Sequence, residues 1–486
     1  MTSIETPKWV QDAVFYQIFP DRFARSDKVF KPSNLEAWDA PPTVYGFKGG
    51  DLIGVVEHLD YLQDLGVTAL FFNPIFQSAA NHRYHTFDYY QVDPILGGNG
   101  ALRTLLDEAH RRDMRVILDG VFNHAGRGFF QFHHILENGP ASPYVDWFNI
   151  RTYPLRPYHA PKGKQGYEAW WNLPALPKLN TGTEAVREFL WDVGSRWIEF
   201  GADGWRLDVP SEIDDDAFWQ EFRRRVKDAN PEAYIVGEIW HDARRWLQGD
   251  QFDAVMNYLF ARACLGFFIG DNLLRSEVAK SGYRDVPMLD ARQFVDEIDR
   301  ILSLYPGEVN EVQLNLLGSH DTPRFRTLAR GDTSAYRLAT LFQMTYPGAP
   351  CIYYGDEIGM EGRHDPACRG AFPWDDRQWD RDLRDDVQRC IALRKDRPAL
   401  RRGELTWLLA GDGVVAYGRR LEANTLLVVL NSTRHAVTLD VPVDGYLDEG
   451  TSVRDVWGDR VSSVTGTQLE GIQVPARAGI VLEVLA

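Results

Sequence analysis

Short apolar runs alternate with amphipathic stretches from near residue 13 to about residue 398, and no other property of the chain restricts its fold as much. Strands are predicted at 13–19, 67–72, 115–120, 203–208, 233–238, 252–256, 314–319 and 349–354. Helical periodicity lies between many of them, at Gly54 to Leu65, Leu102 to Arg112, Ala185 to Phe200 and Ala217 to Ala229. Eight strands with intervening helices predict an α/β chain folded as a parallel (β/α)8 TIM barrel rather than an open sheet. In such a barrel, function resides at the C-terminal ends of the strands.

The spacing is uneven. From the third strand to the fourth the gap is about eighty residues, far more than one βα unit needs, and residues 122–180 are rich in aromatics, Pro, Gly and His. An inserted subdomain over the barrel mouth is expected there, with the barrel itself built from 1–121 and 181–398. From 399 to 486 helical periodicity gives way to apolar runs separated by turn signals, which predicts a C-terminal all-β sandwich.

Formal charge narrows the partners. A net charge of −16 over 486 residues argues against nucleic acid and anionic membranes, which bind clustered Lys and Arg. No basic leader precedes an apolar segment, no apolar run reaches the roughly eighteen residues of a membrane span, and the four cysteines are scattered without metal-like pairing. A cytoplasmic location is expected. The chain holds 15 tryptophans, several in polar settings such as Trp170, Trp171 and Trp240, where an indole face can pack in the core or stack on a sugar ring.

Three of the strands run out into acids: Gly204-Trp-Arg206-Leu-Asp208, Gly237-Glu238-Ile-Trp240 and Gly318-Ser-His320-Asp321. A lone acid at such a place is often a helix N-cap. Three of them, with further polar strand ends upstream, read as an active site.

These segments, with Asp119-Gly-Val-Phe-Asn123-His124, Ala69-Leu-Phe-Phe-Asn-Pro-Ile75 and Gly355-Asp-Glu-Ile-Gly359, resemble the α-amylase superfamily of glycoside hydrolases. The opening Trp9 to Phe23, Leu176-Pro-Lys-Leu-Asn180 and Asp250 to Asn257 are similar to its cyclomaltodextrinase, neopullulanase and maltogenic amylase subgroup. The resemblance implies a retaining hydrolase of α-1,4-glucosidic bonds in maltooligosaccharides, cyclodextrins, pullulan or starch. In such an enzyme two carboxyls about 5–5.5 Å apart divide the work of nucleophile and proton donor. By resemblance Asp208 is the nucleophile, Glu238 the acid/base and Asp321 the third acid that grips sugar hydroxyls. Arg206, two residues before Asp208 on the same strand face, is expected to keep the nucleophile ionised. Tyr84 resembles the platform under the reacting sugar, His124 and His320 the hydroxyl-binding histidines, and Trp240 an apolar neighbour of Glu238. Asp365 and Arg369 resemble the subgroup's Asp-Pro-x-x-Arg segment, with a surface salt bridge as the other reading.

Several departures shape the expectations. The first strand begins near residue 13, where the subgroup carries an N-terminal β-domain that dimerises, so a monomer or weak homo-oligomer is expected. No cofactor is required by the chemistry. Calcium is possible, but the usual loop ligands are mostly absent: Arg22-Phe-Ala-Arg25-Ser-Asp27-Lys28-Val-Phe-Lys31 leaves only Asp27 and, further on, Gly49 and Asp51, so no metal is assigned. Val209-Pro210-Ser211-Glu212 also differs from the subgroup's usual segment, which bears on acceptor choice. A glycosyltransferring or sugar-isomerising relative with the same triad shares the glycosyl-enzyme, and an inactive sugar-binding homologue is the reading from a different class.

Overall fold

The computed structural model describes residues 4–158 and 160–485. Eight parallel strands form the barrel: β1 Phe15–Ile18, β2 Ala69–Phe72, β3 Arg115–Gly120, β4 Gly204–Leu207, β5 Tyr234–Gly237, β6 Ala254–Val255, β7 Leu314–Leu316 and β8 Ala349–Tyr353. Their order around the sheet is β6-β5-β4-β3-β2-β1-β8-β7. The ring closes where Met256 bridges Leu314 in parallel and the Asn257 N–H donates to the Leu314 carbonyl at 2.8 Å. Nearly every strand residue is buried, as expected when helices cover the outside and side chains fill the inside.

The helices pack by their apolar stripes. Asp215 caps the helix Asp216–Ala229 by accepting from the Phe218 N–H, and Phe218, Trp219, Phe222 and Val226 form its buried face. The adjoining helix Glu184–Glu199 buries Val186, Leu190, Val193 and Trp197. A Cβ at Gly194 would lie 2.5 Å from the Phe222 ring, so glycine lets these two helices approach. The periodicity read at Gly54 to Leu65 is two helices, Leu52–Glu57 and Leu59–Leu65, broken at His58.

Between β3 and β4 the chain leaves the barrel, forms the helix Phe130–Asn138 and returns through isolated bridges pairing His124 with Lys178 and Phe148 with Leu179. This segment therefore stands on the strand end that carries His124. After the barrel, strands β9 Glu404–Gly411, β10 Val414–Leu421, β11 Asn424–Asn431, β12 Val437–Pro442, β13 Ser452–Asp455, β14 Val461–Thr465, β15 Gln468–Val474 and β16 Ala478–Val484 make an antiparallel sheet ordered β9-β10-β11-β16-β13-β14-β15-β12. The sheet folds over its own apolar core of Val429, Val441, Val453, Leu469 and Leu482, giving two layers. No helix among the described residues is long and apolar enough to cross a membrane.

Candidate active site

A cleft of about 910 Å³ opens at the C-terminal ends of the barrel strands, and Asp208, Glu238 and Asp321 all face it. Asp208 follows β4 and Glu238 follows β5, which pair in parallel with Leu207 opposite Gly237, so the two carboxyls are neighbours. Between and beneath them lies the Arg206 guanidinium. Its Nη1 is 2.8 Å from both Asp119 oxygens and 3.2 Å from Asp208 Oδ1, and its Nη2 is 2.8 Å from Glu238 Oε2.

Glu238 is fixed from further directions. The Trp240 indole N–H donates to Oε1 at 3.0 Å and the Val209 backbone N–H to Oε2 at 3.1 Å. Val209 reaches this position in the left-handed region, at φ 37 and ψ 49, a genuine outlier for a β-branched residue. The strain, of order 1–2 kcal/mol, sits one residue after Asp208 and points an amide at its neighbour acid.

Asp321 sits higher, with about a third of its side chain open (32%). Its Oδ2 is 3.0 Å from His320 Nε2, and Arg369 donates to its Oδ1 at 3.1 Å while also pairing with Asp365 at 3.1 Å. The Tyr84 hydroxyl donates to Asp119 Oδ2 at 2.9 Å, lies 2.7 Å from His320 Nε2, and accepts from the Asn73 amide at 3.1 Å.

The electrostatics follow from depth. Burial raises Asp208 well above the usual carboxylate range, and the charges of Glu238, Asp119 and Asp321 add to this while Arg206 opposes them. Asp119 is raised for the same first reason. Burial would raise Asp321 too, but His320, Arg369 and Arg206 outweigh it and hold this acid below the ordinary range. Arg206, expected to keep Asp208 ionised, does pull this acid down, but burial is the larger effect and pushes it up.

Arg206, His320 and Trp240 are each held by protein groups around the acids. Arg206 is fully buried under the acids and positions them. His320 is also fully buried; its Nδ1 lies 2.9 Å from Gln17 Nε2 and its Nε2 is taken by Asp321 and Tyr84, so it orients both. Trp240 lines the cleft, but its ring stacks on Tyr258 with centroids 3.5 Å apart, and a Cβ at Gly282 would lie 2.7 Å from Cζ3. The protein engages this indole, whose service is to hold Glu238. Tyr84, His124, Asp365 and Arg369 do line the cleft. Burial lowers His124 to about 3, so its ring is neutral, and its Nε2 is buried without a protein partner.

The sequence reading missed His82, His85 and Lys280 in the cleft wall. Burial drives His82 well below the usual imidazole range and His85 to about 4, leaving both neutral. The two flank Tyr84, which was the available signal; Lys280 arrives from the segment after β6 and offered none.

Of the acids considered as calcium ligands in the first loop, Asp51 is engaged by the protein itself. Asp51 Oδ1 caps Gly54, while Oδ2 accepts from the Ser26 N–H and meets the Lys31 ammonium, both at 2.8 Å; Asp27 is exposed. A lysine already supplies the cation there. Among the described residues no group of three or more His, Cys, Asp or Glu could hold a metal.

Residues 17–407 match the family described as alpha amylase, catalytic domain. The chain is 45% identical over 444 residues to a cyclomaltodextrinase of Geobacillus thermopakistaniensis, covering 90% of this chain and 72% of that one. It is 45% identical over 447 residues to neopullulanase 2 of Thermoactinomyces vulgaris, covering 90% and 73%. Among solved structures, the debranching enzyme of Nostoc punctiforme superposes with a TM-score of 0.89 at 46% identity, over 99% of this chain and all of its own.

Proposed function

The chain belongs to the α-amylase family of glycoside hydrolases, and from that premise we propose that it is a retaining α-glucan hydrolase acting chiefly on α-1,4 bonds. The observation that carries this is the pair Asp208 and Glu238, at adjacent strand ends, bracketing one buried guanidinium under one cleft. Asp208 attacks the anomeric carbon while Glu238 protonates the departing oxygen; water, activated by the same Glu238, then releases the sugar. Asp321 accepts hydrogen bonds from the sugar hydroxyls beside the ring that Tyr84 supports. The orphan His124 Nε2 is available to a further hydroxyl. These steps need no cofactor, because carboxyls supply both the nucleophile and the proton.

Maltooligosaccharides, cyclodextrins, pullulan or starch are the substrates proposed, and relatives are named for the cyclic and pullulan forms and a solved one for debranching. A monomer or weak homo-oligomer is the state proposed. Four buried, unpaired cysteines support a reducing, cytoplasmic setting.

The test is incubation with maltotriose, β-cyclodextrin, pullulan and soluble starch, following products over time. Glucose or maltose from at least one of them is expected, and none from any would put the sugar-binding reading in its place. Larger saccharides appearing early would mark transfer rather than hydrolysis. Asp208→Asn should reduce turnover at least about a thousandfold, that is ~4 kcal/mol of lost transition-state stabilisation. Activity within about tenfold of the parent would remove Asp208 from the nucleophile's role.

A further inference from the structure

Trp171 is 70% exposed, although an indole is the side chain with most to gain from burial. It follows Trp170 in the segment between β3 and β4, and the two rings stack with centroids 4.6 Å apart and planes 13° from parallel. On its other side Trp170 stacks on His124, at 5.2 Å and 15°. Three flat rings thus run outward from the buried cleft histidine to the rim, and the outermost leaves one face uncovered.

The backbone is bent to produce this display. Trp171 has φ 50 and ψ 23, and Asn172 after it has φ 57. Two consecutive non-glycine residues in the left-handed region, one of them bulky, are uncommon, and such outliers cluster at ligand-holding positions. Burial does not account for this one, because Trp171 stays in solvent.

A shallow recess of about 600 Å³ lies against Trp171, lined also by Ala160, Lys162, Asn172, Leu173 and Pro174. Trp171 and Leu173 line the catalytic cleft as well, so the two spaces adjoin. The recess combines an indole face and the half-exposed Leu173 with an ammonium and an amide at its edge. That is the chemistry of a pyranose, which has an apolar face and a hydroxyl rim.

We propose that Trp171 is a stacking platform for a glucose unit of the same α-glucan chain, two ring spacings outward from His124. The assignment rests on the α-glucan reading above. The platform acts on long chains, whose remote units reach the rim while the scissile bond lies over Asp208. It is a specificity-determining position: binding gained there favours long substrates over short ones.

The experiment compares kcat/KM for maltoheptaose with kcat/KM for maltotriose in the parent, Trp171→Ala and Trp171→Phe. The ratio is expected to fall about fivefold in the alanine variant, the effect of losing one aromatic stacking partner, and to recover in the phenylalanine variant. The fall should reside in KM. Because Trp171 lies outside the core, thermal unfolding of both variants should match the parent. An unchanged ratio in Trp171→Ala, or a fall that phenylalanine does not restore, overturns the assignment while leaving the hydrolase reading intact. If the parent cleaves neither oligosaccharide, this inference is overturned, and the hydrolase reading falls with it only if β-cyclodextrin, pullulan and starch also yield no product. A change of oligomeric state in Trp171→Ala, seen by light scattering, would give the ring to a second copy of the chain and overturn the platform.

Discussion

Glu238 receives the Trp240 and Val209 N–H groups and faces the Arg206 guanidinium before any sugar arrives, so its carboxyl is oriented in advance. Glu238→Gln keeps the shape but turns an NH2 toward one of these donors and has no proton to deliver. It is expected to hydrolyse an activated aryl glycoside far better than a natural oligosaccharide, by at least about a hundredfold in relative rate. Equal losses on both in the glycosylation step would show that another group protonates the leaving oxygen. Glu357 carries a pH dependence of stability. Burial raises it from 4.5 to about 7 against the hydroxyls of Tyr61 and Tyr16, which donate to Oε1 at 2.6 and 2.8 Å, and Oε2 has no donor. A carboxyl whose folded value is raised binds its proton more tightly in the folded state. Its contribution is complete below 4.5 and is lost as the pH rises through about 7. Between pH 5 and 8 the parent should lose of order 2 kcal/mol that Glu357→Gln does not lose. Parallel denaturation curves for the two proteins at both pH values would contradict this.

Helix Thr333–Thr345 ends against two buried arginines, and the joint between barrel and C-terminal sheet is built on that contact. Arg394 donates to the carbonyls of Met344, Tyr346 and Leu400 at 3.0–3.1 Å and also to Gly348, while Arg419 donates to Leu400, Gly403 and Thr345. Burial, with Arg419 and Arg401 close by, lowers Arg394 to about 9. A cation at a helix C-terminus meets the negative end of the dipole. Arg394→Met would recover the cost of burying the charge but would take this donor from the carbonyls of Met344, Tyr346 and Gly348, at about 1–3 kcal/mol each, while Leu400 keeps Arg419. The second effect wins, and a net loss of about 2–4 kcal/mol is expected in denaturant unfolding; a change below ~0.5 kcal/mol would show that water replaces the guanidinium. Neither arginine was readable from sequence. The helical stripe says which face is buried, whereas the carbonyls of a terminus acquire partners only through chain far away in sequence.

Barrel and C-terminal sheet share one apolar cluster, in which Tyr417, Leu426, Val428, Leu430 and Val481 pack with the barrel's helices. The Arg397–Glu483 ion pair at 3.1 Å spans the same joint. A shared core couples the two parts, so calorimetry should record one cooperative unfolding transition, and two resolved transitions would contradict the coupling. The strand pattern and acidic strand ends were legible because a strand's alternation and direction decide which side chains leave at the same end of a barrel, and these are local properties of the chain. The roles of Asp208, Glu238 and Asp321 came from motif resemblance at those ends. Depth was not legible. Arg206 and His320 lie beneath the acids, and Trp240 is engaged by Tyr258, because barrel closure at Met256 and Leu314 brings remote segments around them. The rise of Asp208 and the neutrality of His82, His85 and His124 are likewise consequences of desolvation, a property of the packed volume around a group. Sequence alone thus determined which groups gather at the barrel mouth, and the tertiary structure decided which of them meet solvent and which work from below, since local periodicity sets direction but only long-range packing sets burial.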